Sequence, residues 1–434
     1  MKFLKKCILT MAAVAALTLG ATGATFADDN VNARIAALEA ALKELRAEVV
    51  ARDVKIAAME VKTAEIDKMP IFSDTKLEME SRDGKFAMGI SGRIQADAYA
   101  IDDDQSTVNP MGNGMEFRRV RLAVAGQMFG DWKYKLEADY AGNVVSIADA
   151  YIETDLAKGL GIRAGHFKEY YGLENLSSDN YNTFMEASLA SIYTPSQVMG
   201  VGMTYTDGKL FGVQGGFFTP GVANGGTGES SDWSTTGRAY IAPKVGSGIV
   251  HIGLNGSYRG FEASATTKFE QRPEAHAAEK VLRTGNITSP VSEVRFGPEL
   301  AAVFGPVTVQ GEYSWSEITR ADGLASISTE GGYAEASWFV TGESRNYGVK
   351  SGTFGRTKAT NAIQLAARFS HLDLNDPALT DARRGIENNV TLGANYYFNP
   401  SVRLMVNYIR ADVDYTAAKD ETYNIVQSRL QLDW

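Results

Sequence analysis

The chain has 434 residues, 44% of them hydrophobic, which is enough for two or more ordinary domains or for one large β-barrel. Asp and Glu number 52 against 43 Lys and Arg, and this acidic balance gives no indication of nucleic-acid binding, which would call for a basic patch or stripe. The single Cys, Cys7, lies in a segment that we expect to be removed, so neither disulfides nor thiolate metal sites are expected.

The N-terminal residues 1–27 have the pattern of a secretory signal peptide. Three lysines form a positive region, residues 8–19 form a short apolar run, and Ala27 ends a small-residue cleavage site. The apolar run is shorter than the ~20 residues that a membrane-spanning helix needs. We therefore expect residues 1–27 to be removed after export.

Residues 28–70 have a helical rhythm and are predicted to form an α-helical coiled coil. Apolar residues recur in alternating steps of four and three over about five heptads, and Pro70 ends the helix. Because such a seam needs partner chains, we expect this segment to associate with other copies. A single amphipathic helix lying on its own domain is the alternative. The apolar positions are Val31, Ile35, Leu38, Leu42, Leu45, Val49, Ile56, Met59 and Ile66.

Residues 71–434 show a two-residue rhythm and are predicted to form β-strands. About 16 candidate strands can be marked, an even number, and most exceed the ~5–6 residues usual in globular sheets. The candidates are 85–100, 117–129, 132–141, 145–156, 160–170, 197–206, 209–219, 233–244, 248–260, 292–304, 306–318, 331–341, 361–374, 388–398, 401–413 and 423–434.

The two faces of these strands differ sharply, as the stretch DWKYKLEADY at 131–140 illustrates. Its alternate positions are apolar or aromatic on one face and charged on the other. A soluble β-sandwich would bury the apolar faces against each other, whereas an outer-membrane barrel faces them to lipid and puts the charges in a wet lumen. Strand length, the signal peptide, and tight turns alternating with long polar loops favour the barrel. Arg119, Arg121, Lys133 and Lys135 are then predicted to face the lumen.

The sequence therefore predicts an all-β fold, a transmembrane antiparallel β-barrel of about 16 strands preceded by the coiled coil. No catalytic set is evident, since the four histidines are scattered and the nearest pairing, His371 with Asp373, lacks a nucleophile. The acidic run at 101–105 lacks the spacing of a calcium loop, so we expect no metal and no cofactor.

Several segments together resemble the phosphate-selective porin family, the O/P type. The resemblance runs through most of 72–434 and does not extend to the coiled coil. It implies a trimer of 16-stranded barrels in the bacterial outer membrane, with inward-folded loops and basic side chains that pass small anions. The carrying segments are FSDTKLEMESRDGKFAMGISGRIQADAY (72–99), FRRVRLAVAGQMFGDWKYKLEADYA (117–141), IRAGHFKEYYGLENLSSDN (162–180), VTGESRNYGVKSGTFGRTK (340–358) and NNVTLGANYYFNPSVRLMVNYIRADVDY (388–415).

The resemblance also implies pore residues at matching positions. Asp149 falls where the family has a pore carboxylate that partly neutralises the basic residues. Ser177 and Ser178 match the positions of hydroxyls at the family's pore constriction. Arg118 has the parity of a lipid-facing residue, so it either lies at the headgroup boundary or is turned inward. The basic positions are Arg93, Arg118, Arg119, Lys133 and Arg163.

One departure from the family pattern concerns the solute. Phosphate-specific members have a lysine after the Glu of GLE, and here Asn175 stands in its place. We expect a channel for small anions such as phosphate or polyphosphate, with a general porin as the alternative. A structural tether, in which the barrel anchors a periplasmic coiled coil toward the cell wall, is a further alternative.

Overall fold

A computed structural model describes residues 28–66, 71–72, 77–102, 112–195, 197–219, 232–263 and 265–434. The predicted signal peptide lies outside these residues. The chain divides into two units, residues 1–69 and 70–434. No helix in the described residues is long and apolar enough to span a membrane.

The first unit contains one long helix, α1, from Asp28 to Ile66. This confirms the predicted helix, and its alternating steps of four and three place the apolar residues along one stripe. From Val31 to Met59 these stripe residues are 42% to 67% exposed. The structure contains one copy of the chain, so the association of α1 with partner helices stays a prediction.

The second unit is a barrel, and within the described residues sixteen long antiparallel strands form its wall. They are β1 (Ala87–Asp102), β2 (Gly114–Met128), β3 (Trp132–Asp139), β4 (Ser146–Ala157), β5 (Leu160–Lys168), β6 (Gln197–Thr206), β7 (Phe211–Thr219), β8 (Trp233–Ile241), β9 (Gly248–Gly260), β10 (Pro290–Phe304), β11 (Val307–Arg320), β12 (Ile327–Phe339), β13 (Ala362–Asp373), β14 (Gly385–Asn399), β15 (Val402–Tyr415) and β16 (Glu421–Asp433).

Each wall strand pairs with its neighbours in sequence, and β16 pairs with β1 to close the barrel. Closure removes every exposed sheet edge, which a lipid-facing sheet requires because lipid offers no hydrogen-bond partners. The shorter elements are the helix α2 (Leu173–Leu176), the 3₁₀ helices Ala141–Asn143 and Leu189–Tyr193, and the strands Ile71–Phe72, Glu78–Glu80, Lys244–Val245, Thr266–Thr267, Glu270–Gln271, Leu282–Arg283, Ile287–Thr288, Asn346–Gly348 and Thr353–Gly355.

The two faces of the wall agree with the predicted alternation. On β15, for example, Leu404, Val406 and Tyr408 are exposed outward, whereas Arg403 and Asn407 are buried inside. Apolar side chains that are exposed in the isolated chain suit a lipid environment, and buried polar side chains suit a crowded polar interior.

The barrel interior is far from empty, because loops fold into it. The connection 169–196 supplies Leu189 and Tyr193, and the connection 261–289 supplies Phe269 and Leu282. These side chains pack against lumen-facing residues of the far wall, including Ile318, Ile327, Leu372, Ile409 and Ile425. An apolar core therefore fills the interior beside β11–β16.

One connection differs from the expectation that short turns lie at one end and long loops at the other. The connection 340–361 lies at the tight-turn end but is long and carries its own short strand pair. It folds inward, where Arg345 and Phe354 are buried and the Phe354 N–H donates to Ser177 Oγ at 3.1 Å. Its length is needed to reach the loop 169–196 inside the lumen.

Candidate functional site

A β-bulge directs two consecutive arginines into the lumen. Gln95 pairs with Arg119 and Ala96 pairs with Phe117, so Arg118 has no counterpart on β1. A bulge of this kind reverses the local side-chain alternation, which explains how both neighbours point inward. Arg118 is therefore turned inward, as one of the two sequence interpretations allowed.

Both arginines bind carboxylates of the inward loop. Arg118 donates from Nε and Nη2 to the two oxygens of Glu186, each at 2.9 Å. Arg119 donates from Nη1 to Gln95 Oε1 at 3.0 Å, and its Nε lies 3.2 Å from Asp179 Oδ2. The planar guanidinium fork suits carboxylates and other oxyanions equally. A permeating oxyanion could therefore take the place of either loop carboxylate in these contacts.

Deeper toward the tight-turn end, the predicted lumen basics share two carboxylates of β3. Arg93 and Arg121 both reach Glu137 Oε1 at 3.2 Å, and Arg121 Nε donates to Asp139 Oδ2 at 2.7 Å. Lys135 Nζ lies 2.5 Å from Glu137 Oε2. The carboxylate of Glu137 therefore holds three cations on one wall.

The remaining predicted basics continue toward the tight-turn end. Lys135 Nζ donates to Asp149 Oδ2 at 2.7 Å, which pairs the predicted pore carboxylate with a lumen cation. Arg163 binds Glu153 and lies over the Tyr151 ring, 4.1 Å from its centroid. Lys133 Nζ donates to Asp155 Oδ2 at 2.8 Å, and its side chain is 42% exposed.

The two predicted hydroxyls have different surroundings. Ser178 lines a cavity in the lumen and its Oγ accepts from the Asn180 N–H at 3.3 Å. Ser177 is buried, donates to the Leu173 carbonyl and accepts from Phe354. Ser177 therefore joins the connection 169–196 to the connection 340–361, whereas Ser178 borders the open space of the lumen.

Charged residues at this site that were not identified from sequence include Lys168, Asp179 and Glu186. Lys168 Nζ donates to the Asn175 carbonyl at 2.6 Å, so a cation from the end of β5 lies beside the position where the family pattern has lysine. Asp179 follows the two predicted serines, and this acidic neighbour was the available signal. Glu186 has no sequence pattern that distinguishes it from other loop acids.

Two cavities lie along these residues. The loop-end cavity, about 220 Å³, is lined by Arg118, Arg119, Glu186 and, from the second inward connection, residues 271, 272 and 274–276. The turn-end cavity, about 210 Å³, is lined by Arg93, Arg121, Lys135, Asp149, Arg163 and Ser178 among others. Asp179 lines both cavities, so its side chain lies between them.

The loop carboxylates here are held ionised. Burial raises the pKa of Asp179, but the charges of Arg119, Lys168 and Arg93 outweigh it and lower that pKa well below the usual value. Burial likewise opposes the charge of Glu186, yet Arg118, Arg429 and Arg119 lower its pKa. Both groups therefore act as fixed negative charges.

The far side of the lumen carries a second set of ion pairs, which are fully buried. Arg238 Nε donates to Glu299 Oε1 at 2.6 Å and both side chains are 0% exposed. Arg368 Nη2 lies 2.7 Å from Glu274 Oε2. The Arg238–Glu299 pair lines neither of the two cavities described above, whereas Glu274 of the second pair also lines the loop-end cavity.

No group of three or more His, Cys, Asp and Glu in the described part of the chain is arranged to hold a metal ion. His371, which the sequence analysis paired with Asp373, places Nδ1 2.8 Å from Asn388 Oδ1. The arrangement offers paired cations along a wet passage, which can bind and release anions.

Comparison with known proteins agrees with this geometry. The family model for phosphate-selective porin O and P matches residues 88–434. An uncharacterized protein of Caulobacter vibrioides is 29% identical over 371 residues, which cover 79% of this chain and 73% of that protein. Porin O of Pseudomonas aeruginosa is 25% identical over 399 residues, covering 81% and 89% of the two chains.

A solved structure shares the fold. OmpT of Vibrio cholerae, an outer-membrane protein in its trimer form, superposes with a TM-score of 0.54 at 12% identity, covering 80% of this chain and 99% of that one. The barrel, the inward loops and the family match indicate an outer-membrane channel rather than an enzyme. The chain belongs to the phosphate-selective porin O and P family.

Proposed function

We propose that the channel passes small anions, phosphate among them, through the passage between β1–β5 and the loop 169–196. One observation carries the proposal. Basic side chains follow one another along a single wall, from Lys133 near the tight turns, through Lys135 and Arg121 at the turn-end cavity, to Arg118 at the loop-end cavity. A permeating anion needs several weak partners in sequence, because one deep site would hold it.

The carboxylates beside these cations support a modest rather than a strong preference for phosphate. Each predicted basic residue already has a carboxylate within 4.0 Å. In addition, Asn175 replaces the lysine that phosphate-specific members carry. These two observations favour the general porin as the second candidate.

Planar bilayer recordings of the purified protein separate the candidates. In a KCl gradient, a reversal potential close to the equilibrium potential of chloride supports the anion channel, as does block of the chloride current by phosphate. Equal permeability and no block support the general porin. A protein that inserts but never conducts supports the structural tether.

Arg119→Ala tests the predicted site within this channel. We expect phosphate to block about tenfold less tightly, since a charge-assisted hydrogen bond contributes about 1.5–3 kcal/mol. Arg410→Ala is the matched control, because Arg410 lies on the outward parity of β15 and is exposed. An unchanged block in Arg119→Ala would remove Arg119 from the site.

We further propose a homotrimer whose three α1 helices form a periplasmic coiled coil directed toward the cell wall. Support comes from the exposed apolar stripe of α1 and from the trimeric form of the OmpT neighbour. Mixed Ile, Leu and Val along a seam is compatible with three strands. Deletion of residues 30–68 should lower the thermal stability of the trimer and release it from purified cell wall. Unchanged stability and attachment would contradict this role.

A further inference from the structure

The tip of the inward loop places one carboxylate between three cations. The turn at Ser178–Tyr181 is closed by the Tyr181 N–H, which donates to the Ser178 carbonyl at 2.7 Å, and Asp179 is at its tip. Asp179 Oδ2 lies 3.2 Å from Arg119 Nε and 3.5 Å from Arg93 Nη1. Asp179 Oδ1 lies 3.9 Å from Lys168 Nζ.

Two of these contacts lack the alignment of a hydrogen bond. Arg93 Nη1 and Arg119 Nε are both buried, and neither has a hydrogen-bond acceptor among the described residues. A buried donor without an acceptor is costly, more so on a charged group. Both donors lie within 3.5 Å of Asp179 Oδ2 without forming a hydrogen bond to it, so an oxyanion bound beside them at a better angle could satisfy them.

The backbone that follows Asp179 is held by hydrogen bonds, whereas the Asp179 side chain is held by ion pairs and is partly exposed. Gln431 donates to the Asn180 carbonyl at 3.2 Å and Arg345 donates to the Tyr181 carbonyl at 3.2 Å. The Asp179 side chain is 24% exposed and borders both cavities. Rotation of this side chain can therefore clear the position between the cavities without moving the loop.

We propose that Asp179 is a tethered counter-anion: a permeating oxyanion displaces it from Arg93, Arg119 and Lys168, and its return expels the anion. This inference rests on the proposed anion channel. Without Asp179 these three cations would retain, among the described residues, only Glu137 as an ion-pair partner, which pairs with Arg93, and would form a deeper site, whereas conduction requires binding weak enough to be reversed. A carboxylate on the chain competes with the permeating anion for the same donors. The apparent affinity for the anion is then the intrinsic affinity multiplied by the fraction of time in which the carboxylate leaves the donors free.

The test is phosphate block of the chloride current in Asp179→Asn, which removes the charge and keeps the size. Phosphate should block on the order of tenfold more tightly, since the competitor is gone. The reversal potential in a KCl gradient should also move toward chloride. Asp412→Asn, on the outward parity of β15, is the matched control for losing one negative charge, and it should leave both quantities unchanged.

Asp179→Glu should block within about twofold of the wild type because it keeps the carboxylate. If Asp179→Asn does not fold, Asp179→Ser provides the same loss of charge, and protease resistance of the loop reports whether its backbone is intact. An unchanged block and reversal potential in a folded neutral variant would overturn the inference while leaving the anion channel standing. A wild type that prefers potassium would instead overturn the anion channel and, with it, the role proposed for Asp179.

Discussion

The two sides of the lumen use ion pairs in opposite ways. On the packed side, formed by β8–β16 and the inward loops, Arg238 and Glu299 are completely excluded from solvent. On the charged side, formed by β1–β5, Lys133 and Lys135 are 42% and 27% exposed and border open space. Breaking a buried pair leaves an uncompensated charge, whereas an exposed pair contributes little. The fully excluded Arg238–Glu299 pair therefore holds the barrel contents together, whereas the pairs of Lys133 and Lys135 are open to exchange with a solute.

The largest expected effect breaks a pair on the packed side. Glu299→Gln leaves Arg238 buried with reduced compensation and should lower the free energy of unfolding by about 3–5 kcal/mol. The measurement is denaturant unfolding of the refolded barrel in lipid. Glu153→Gln, which breaks a partly exposed pair on the charged side, should cost about 1 kcal/mol or less. Equal losses in the two variants would contradict the comparison.

A somewhat smaller effect comes from the apolar core inside the barrel. Leu189→Ala removes a fully buried side chain from the loop 169–196 and should cost about 3 kcal/mol by leaving a cavity. The same unfolding assay measures the loss. Leu430→Ala, at an outward position that is 52% exposed in the isolated chain, serves as the control. If the apolar core contributes to stability, the free energy of unfolding should fall clearly more in Leu189→Ala than in Leu430→Ala.

A pH dependence should also appear on the packed side, through Glu174. Burial raises the pKa of Glu174 to about 8, against the opposing charge of Arg368, with Glu335 and Glu312 adding to the rise. The folded state therefore binds a proton between about pH 4.5 and 8 that the unfolded state has lost, so stability should fall as pH rises through this window.

Unfolding free energies measured from pH 5 to 9 check this slope. Glu174→Gln should flatten it by at least about 1 kcal/mol across the range. Glu186 provides the contrast, because its pKa is lowered and it stays ionised throughout. Glu186→Gln should therefore shift the curve without changing its slope in this window, and a flat wild-type curve would contradict the assignment to Glu174.

The smallest effect is expected at the rim of the charged side. Lys133→Ala should leave the free energy of unfolding within about 0.5 kcal/mol, because the side chain is partly exposed. Anion conductance should fall by less than about twofold, and more at low salt than at 1 M, where charges are screened beyond ~3 Å. Conductance at several salt concentrations measures this, and a salt-independent loss would indicate a structural role.

Much of the fold was predictable because the relevant patterns are local. Each of the sixteen wall strands overlaps a predicted strand, and the widest difference at a strand start is at β12, which begins at Ile327 rather than at residue 331. The alternation of side chains along a strand depends only on backbone geometry. The inward direction of Arg121, Lys133 and Lys135 follows from the same rule.

The site was predictable only in part because its partners are distant in sequence. Whether Arg118 faces inward depends on a bulge, which is a property of the pairing between β1 and β2. Asp179 meets Arg93 and Arg119 because a loop folds back into the lumen, and no local pattern reports that. Lys168 lies at the end of β5 and reaches Asn175 from there. A position-by-position comparison with the family therefore misses it, because its sequence position differs from that of the family's lysine.

The sequence by itself determined the wall: sixteen strands, their two faces and the helix before them, since these follow from periods of two and of three to four along the chain. Tertiary structure alone decided how the lumen is divided. Loop closure brings the carboxylates of residues 169–196 onto cations of β1, β2 and β5, and the apolar residues of the same loop onto β11–β16. The same folded loop therefore fills one side of the barrel and sets the charge of the passage on the other.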